Sequence, residues 1–121
     1  MDVSARELVT ALHGMGFGAF LPFKDLYSGL VRLHILHHAA AEPIFGLAIM
    51  EELARHGYKL SAGTLYPLLH GLERKGYLRS SVELAGKRRR RVYRATHKGR
   101  LALAGAKEKV RELFGELFED E

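Results

Sequence analysis

Leu60-Ser61-Ala62-Gly63-Thr64-Leu65-Tyr66-Pro67-Leu68-Leu69-His70-Gly71-Leu72-Glu73-Arg74-Lys75 is the stretch that decides the fold. Leu65, Leu68, Leu69 and Leu72 recur at steps of three and four, which predicts a helix over 61–75 with its leucines turned to a core. Pro67 fits if the helix starts near Ala62 to Thr64, since the first four N–H groups have no intrahelical partner. Gly76 supplies the stop. Tyr66, His70, Glu73 and Arg74 then point outward. Ser61 and Thr64 lie at the N-terminus, where free N–H groups and the helix dipole favour a phosphate.

Upstream, Ile44 to His56 predicts a helix burying Leu47, Ile49, Met50, Leu53 and Ala54, closed by Gly57. Two helices joined by the tight turn from Gly57 to Leu60 predict a helix-turn-helix. Leu26 to Ala41 predicts another helix, with Leu26, Leu30, Leu33 and His37 along one face, Val31 and Ile35 beside them, and Pro43 after its end. Val3 to His13 predicts a first helix, begun by a capping box of Ser4 and Glu7. Gly14, Gly16 and Gly18 break it, and a connector carrying Phe17, Phe20, Leu21 and Phe23 is oily enough to need covering.

Downstream the period changes from helical to alternating. Tyr77 to Glu83 predicts a strand, Ala85 to Arg88 a turn, and Arg91 to Ala95 a returning strand with Val92 and Tyr93 on opposite faces. Thr96 caps a last helix reaching about Phe118, with Val110, Leu113, Phe114, Leu117 and Phe118 as its apolar stripe. The expected fold is mainly α with a small β-hairpin wing. It comprises an N-terminal helix and connector (1–25), a winged helix-turn-helix domain (26–96) and a C-terminal helix (97–121).

The charge is unevenly placed. Residues 1–86 hold eight basic and eight acidic side chains, whereas 87–100 hold eight basic and none acidic, so the net +5 comes from one block. Such a block repels itself, and a polyanion is the natural compensator. Placed on a hairpin beside a helix-turn-helix, Lys87, Arg88, Arg89, Arg90 and Arg91 become the tip of a wing spanning 85–94 that reaches backbone phosphates or the minor groove of double-stranded DNA. With Ser61, Thr64, Tyr66, His70 and Arg74 they make up the expected DNA-binding set.

Several classes fall away. With no cysteine among 121 residues, a disulfide framework, a zinc ribbon, an iron–sulfur site and a thiol nucleophile are all excluded. The uncharged run from Ala11 to Phe23 is too short and too glycine-rich to span a bilayer, the polar start does not resemble a secretory signal, and a cytoplasmic protein with no membrane partner is expected. No glycine-rich phosphate loop is present and Ser61 has no evident histidine–acid pairing, so no enzyme is expected. His34 and His38, at i and i+4, could share a metal. No acid or cysteine stands among them in the sequence and His37 falls on the apolar stripe, so they read as core or interface histidines, without metal or cofactor.

The segment Leu26 to Gly99 resembles the PadR family of bacterial transcriptional regulators. The resemblance is carried by Leu60 to Leu69, by Leu72-Glu73-Arg74-Lys75-Gly76-Tyr77-Leu78, and by Arg90-Arg91-Val92-Tyr93-Arg94-Ala95-Thr96-His97-Lys98-Gly99. It implies a homodimeric, DNA-binding repressor that reads a palindromic operator and dimerises through its last helix. Phe45-Gly46-Leu47 departs from the family's usual His-Gly-Tyr. The short tail after Gly99 matches the small subgroup with one C-terminal helix. Val110, Leu113, Phe114, Leu117 and Phe118 are then the expected dimer interface, joined by Leu8, Leu12, Phe17 and Phe20. Some relatives bind aromatic or drug-like effectors at the dimer interface, which keeps such a ligand open here. The alternative is a winged-helix protein-interaction module that does not read DNA sequence.

Overall fold

The computed structural model describes residues 24–119. The element order is α1 (Lys24–Ala41), β1 (Ile44–Phe45), α2 (Gly46–Arg55), α3 (Ala62–Arg74), β2 (Leu78–Ala85), β3 (Arg88–Ala95) and α4 (His97–Phe118). The expected architecture is present: four helices and a small antiparallel sheet in the order β1-β3-β2. The helix expected over Val3 to His13 and its connector lie outside the described residues.

The core forms where the helices meet one face of the sheet. Val31 and Ile35 of α1, Leu53 of α2, and Leu65 and Leu69 of α3 are fully buried, with Ile44, Leu78 and Tyr93 of the sheet packed against them. Burial of each such side chain contributes about 1.5–3 kcal/mol. The leucine face of α3 is as expected, with Leu65, Leu69 and Leu72 buried and Leu68 partly so.

Both helix stops are glycines in the left-handed region. Gly57 (φ 91°) ends α2, with its N–H donating to the Ala54 carbonyl and that of Tyr58 to Leu53. Gly76 (φ 85°) ends α3, where its N–H donates to Glu73 and that of Tyr77 to Leu72. This paired pattern satisfies carbonyls that the helix itself leaves open. Thr96 caps α4 as expected: its Oγ1 accepts from the Gly99 N–H at 2.9 Å and donates to the Gly76 carbonyl at 2.5 Å.

Four expectations need correction. The face of α1 turned to the core is Val31, Ile35, Leu36 and Ala39; Leu26 and Leu30 are exposed, at 74% and 44%. The helix has two apolar sides, and counting leucines selects the one that faces α4. Ile44 and Phe45 are strand rather than helix, paired with Tyr93 and Val92. Consequently α2 starts at Gly46 and buries Ile49 and Leu53, leaving Leu47 and Ala54 exposed. Pro67 is the sixth residue of α3, beyond the start-of-helix window, and its acceptor would be the carbonyl of the exposed Gly63, open to water. Finally, β3 begins at Arg88, so the turn is only Gly86 and Lys87. Gly86 (φ 67°) takes the first central position, as a type II′ hairpin requires.

Candidate nucleic-acid interface

The two elements that carry the expected DNA contacts lie side by side because Glu73 joins them. Its Oε2 accepts from the Ser80 backbone N–H at 3.1 Å and from Ser80 Oγ at 2.6 Å, fastening β2 to α3. Arg91 extends the chain by donating to Ser80 Oγ at 3.0 Å. The sequence reading turned Glu73 outward. It is instead the brace between helix and wing, seven residues from its partner, and no local periodicity reveals that.

On α3, Ser61, Thr64, His70 and Arg74 are exposed. Ser61 occupies the N-cap position, yet its hydroxyl makes no capping bond and donates to Thr64 Oγ1 at 3.3 Å. The Ala62 and Gly63 N–H groups therefore stay open beside two hydroxyls, while the Thr64 N–H donates to the Ser61 carbonyl at 3.1 Å. Tyr66 has a divided role. It is 39% exposed, and its ring crosses the start of α2 so closely that a Cβ on Gly46 would lie 2.7 Å from Tyr66 Cζ. Gly46 is a site-building residue that sequence reasoning missed; its signal is a glycine opening a helix, where a cap residue is commoner.

Alternation sends the wing's cations to two sides. Arg89 and Arg91 share the sheet face of Ser80 and Tyr93, which looks toward α3, while Arg88, Arg90 and Arg94 share the opposite face. Arg94 is committed internally, to Glu83 at 2.5 Å and Ser81 at 3.2 Å. The Arg90 guanidinium lies 3.9 Å from the Phe45 ring centroid, a cation–π contact. Lys87, Arg88 and Arg89 are exposed and have no hydrogen-bond or ion-pair partner among the described residues.

At the root of the wing Tyr93 is 1% exposed, and its hydroxyl has no hydrogen-bond partner among the described residues. Burial raises its pKa above the usual phenol value, and the nearby Glu73 carboxylate adds to the rise.

Residues 35–105 match the transcriptional regulator PadR-like family. The chain belongs to the PadR family. It is 48% identical over 94 residues to the transcriptional regulator Rv3488 of Mycobacterium tuberculosis, covering 78% of this chain and 88% of that protein. Among solved structures, a PadR family transcriptional regulator from Eggerthella lenta is similar at 33% identity and a TM-score of 0.67, with 80% and 88% of the two chains covered. A PadR-like transcriptional regulator from Bacillus cereus shares the fold at 24% identity and a TM-score of 0.70, covering 80% and 99%. This is a family of transcriptional regulators rather than enzymes.

The family resemblance has physical reasons in this chain. Gly99 must be glycine because a Cβ there would strike the Tyr77 carbonyl oxygen and come within 3.2 Å of Leu36 Cδ1. Thr96 ties the start of α4 to the end of α3 through Gly76, and Lys98 Nζ donates to the last-turn Lys75 carbonyl at 2.7 Å. These contacts fix the start of α4 on the end of α3.

Two further features lie away from the wing. The exposed side of α1 and the inner side of α4 bound a groove of about 500 Å³ lined by Leu30, Leu33, His37, Leu103, Val110 and Phe114 among others. Val110, Leu113, Phe114, Leu117 and Phe118 are all exposed, by 42–62%. Leu8, Leu12, Phe17 and Phe20 lie outside the described residues. The histidines expected to be core or interface residues are partly open to solvent, and the fold adds what the sequence did not place among them: Glu52 and His56 of the α2 end face His34 and His38. No helix among the described residues is long and apolar enough to cross a membrane.

Proposed function

We propose that this PadR-family regulator is a homodimeric repressor that reads a palindromic operator. In this reading residues 26–96 form the DNA-binding unit and 97–121 the dimerisation helix. Two copies of α3 enter successive major grooves about 34–36 Å apart. His70, Arg74 and the open part of Tyr66 read base edges, Ser61 and Thr64 hold a phosphate, and Lys87 to Arg91 grip the backbone beside the groove. One observation carries the reading: the polar side of α3 is braced, through Glu73 and Ser80, against a hairpin whose outermost cations have no partner among the described residues.

The exposed stripe of α4 supports the dimer. Five large apolar side chains on one helix end make a face that water leaves poorly satisfied, and a second copy covers it. An aromatic or drug-like effector would enter at the groove between α1 and α4.

Selection of bound duplexes from a random pool at physiological salt, with sedimentation of the recovered complex, tests this. A palindrome whose half-sites are about one helical turn apart, with two chains per duplex, is expected. Recovery of no preferred sequence, or a stable hetero-complex with another protein in place of DNA binding, overturns it.

A further inference from the structure

Three imidazoles converge on the side of the domain where α1 crosses the end of α2. His34 and His38 stand one turn apart on α1, with rings stacked at 6.4 Å and only 12° between planes. His56, the C-cap residue of α2, places its ring 4.7 Å from that of His34. One ligand nitrogen from each of the three lies within 4.8 Å of the others. Glu52 lies at the edge of this cluster, its Oε1 3.6 Å from His38 Nε2 and 3.4 Å from His56 Nε2.

We propose that His34, His38, His56 and Glu52 form a binding site for a divalent transition-metal ion of the zinc class.

The distances favour a shared ion over direct bonding. At 3.4 and 3.6 Å the carboxylate oxygen is too far from either imidazole for a good hydrogen bond. Two ligands of one tetrahedral ion, each bonded at about 2.0–2.1 Å, stand about 3.3 Å apart. The two Glu52 gaps already have that size, and the widest nitrogen separation closes by small side-chain rotations. Glu52 is also aimed: Arg55 binds its other oxygen, Oε2, and leaves Oε1 turned to the histidines. Such outer partners are what orient ligating carboxylates in metal sites.

The donor set selects the ion. Imidazole nitrogens suit zinc, copper and nickel, whereas magnesium and calcium prefer all-oxygen sets. Three imidazoles supply three donors, and Glu52, beside two of them, is the further protein group near enough to join a tetrahedral ion. His34 and His38 come from α1 and Glu52 and His56 from the end of α2, so the set assembles only on folding. His56 directly precedes Gly57, where the chain turns toward α3, so an ion there clamps α1 to the hinge of the helix-turn-helix.

The test uses the full chain, stripped of metal by chelation and titrated with Co2+ and then with Zn2+ as competitor. Visible absorption of tetrahedral cobalt at one ion per chain is expected, displaced by one Zn2+. His34→Ala and His56→Ala should each weaken Zn2+ binding by more than about 100-fold, and Arg55→Ala by about 10-fold, the range of an outer-partner loss. His37→Ala, on the same helix but outside the cluster, should leave binding unchanged. His56 is 46% exposed at its side chain, so His56→Asn keeps the test open if His34→Ala fails to fold. Absence of one-to-one binding in the wild type, or binding that survives both His56 variants, overturns the assignment. Equal loss in His37→Ala would do the same. None of these readouts depends on DNA.

Discussion

Replacing Arg88 and Arg89 together by alanine isolates the electrostatic part of DNA binding. Neither side chain has a partner among the described residues, so their removal leaves the contacts described above intact. Arg90 and Arg94 are poorer choices, since one lies on the Phe45 ring and the other is paired with Glu83. If each of the two arginines neutralises one phosphate, a dimer loses four contacts. At about 0.9 in the log–log salt slope per phosphate, the slope flattens by about 3.6. Extrapolated from about 1 M salt, where the electrostatic contribution vanishes, the affinity loss at about 0.2 M is about 2.5 orders of magnitude. Fluorescence anisotropy against a salt series, on a selected operator and on a scrambled duplex, measures both quantities. The loss should be nearly equal on the two duplexes, because phosphates carry no sequence information. An unchanged slope, or a loss confined to the operator, would refute the assignment of the wing tip to the backbone.

Two further outcomes follow from the packing. Gly46→Ala drives a methyl into the Tyr66 ring and should destabilise the fold by about 1–3 kcal/mol, the usual cost of overpacking. The double variant with Tyr66→Ala should recover most of that in urea denaturation, and equal destabilisation with and without the ring would show that Tyr66 does not cross Gly46. Tyr93→Phe removes a buried hydroxyl that lacks a partner among the described residues and should hold or raise stability at about pH 8, by up to about 1–3 kcal/mol. The raised pKa of Tyr93 sets the sign of the alkaline effect. Its contribution is complete below the unfolded value of about 10 and is lost as pH climbs through the higher folded value. The variant should therefore lose less stability between about pH 8 and pH 11 than the wild type, and an identical alkaline slope would count against burial of the phenol.

Features with a strong local signal were legible from the sequence. The leucine spacing of α3, the glycines that end α2 and α3, the Thr96 cap and the hairpin all rest on short-range rules that tertiary packing did not override. The errors cluster where an element serves two neighbours. Helix α1 is apolar on both sides, so its pattern cannot tell the core face of Val31 and Ile35 from the groove face of Leu30 and Leu33. A two-residue strand such as Ile44–Phe45 has no period of its own and exists only because β3 runs beside it. Within the candidate interface, the exposed residues were found by type and position. The residues that place them were not: Glu73 reaches a backbone N–H beyond the turn, and Gly46 matters only because a ring from another helix lies over it. Glu52 and His56 were invisible for the same reason, being remote in sequence from the histidine pair they approach.

The outer half of the hairpin has a liability of its own. Strand β1 covers β3 only at Val92 and Tyr93, so beyond them both margins of the ribbon have unpaired backbone groups, and Val82 and Leu84 are 51% and 73% exposed. An open, partly apolar ribbon is a template on which another chain can add itself edge to edge. The arginine row guards against this, because two such ribbons meeting in register would bring like charges together. The same cations proposed to grip a polyanion would thus keep unliganded copies from aggregating through their wings, and the wing would grow adhesive as its charge is removed.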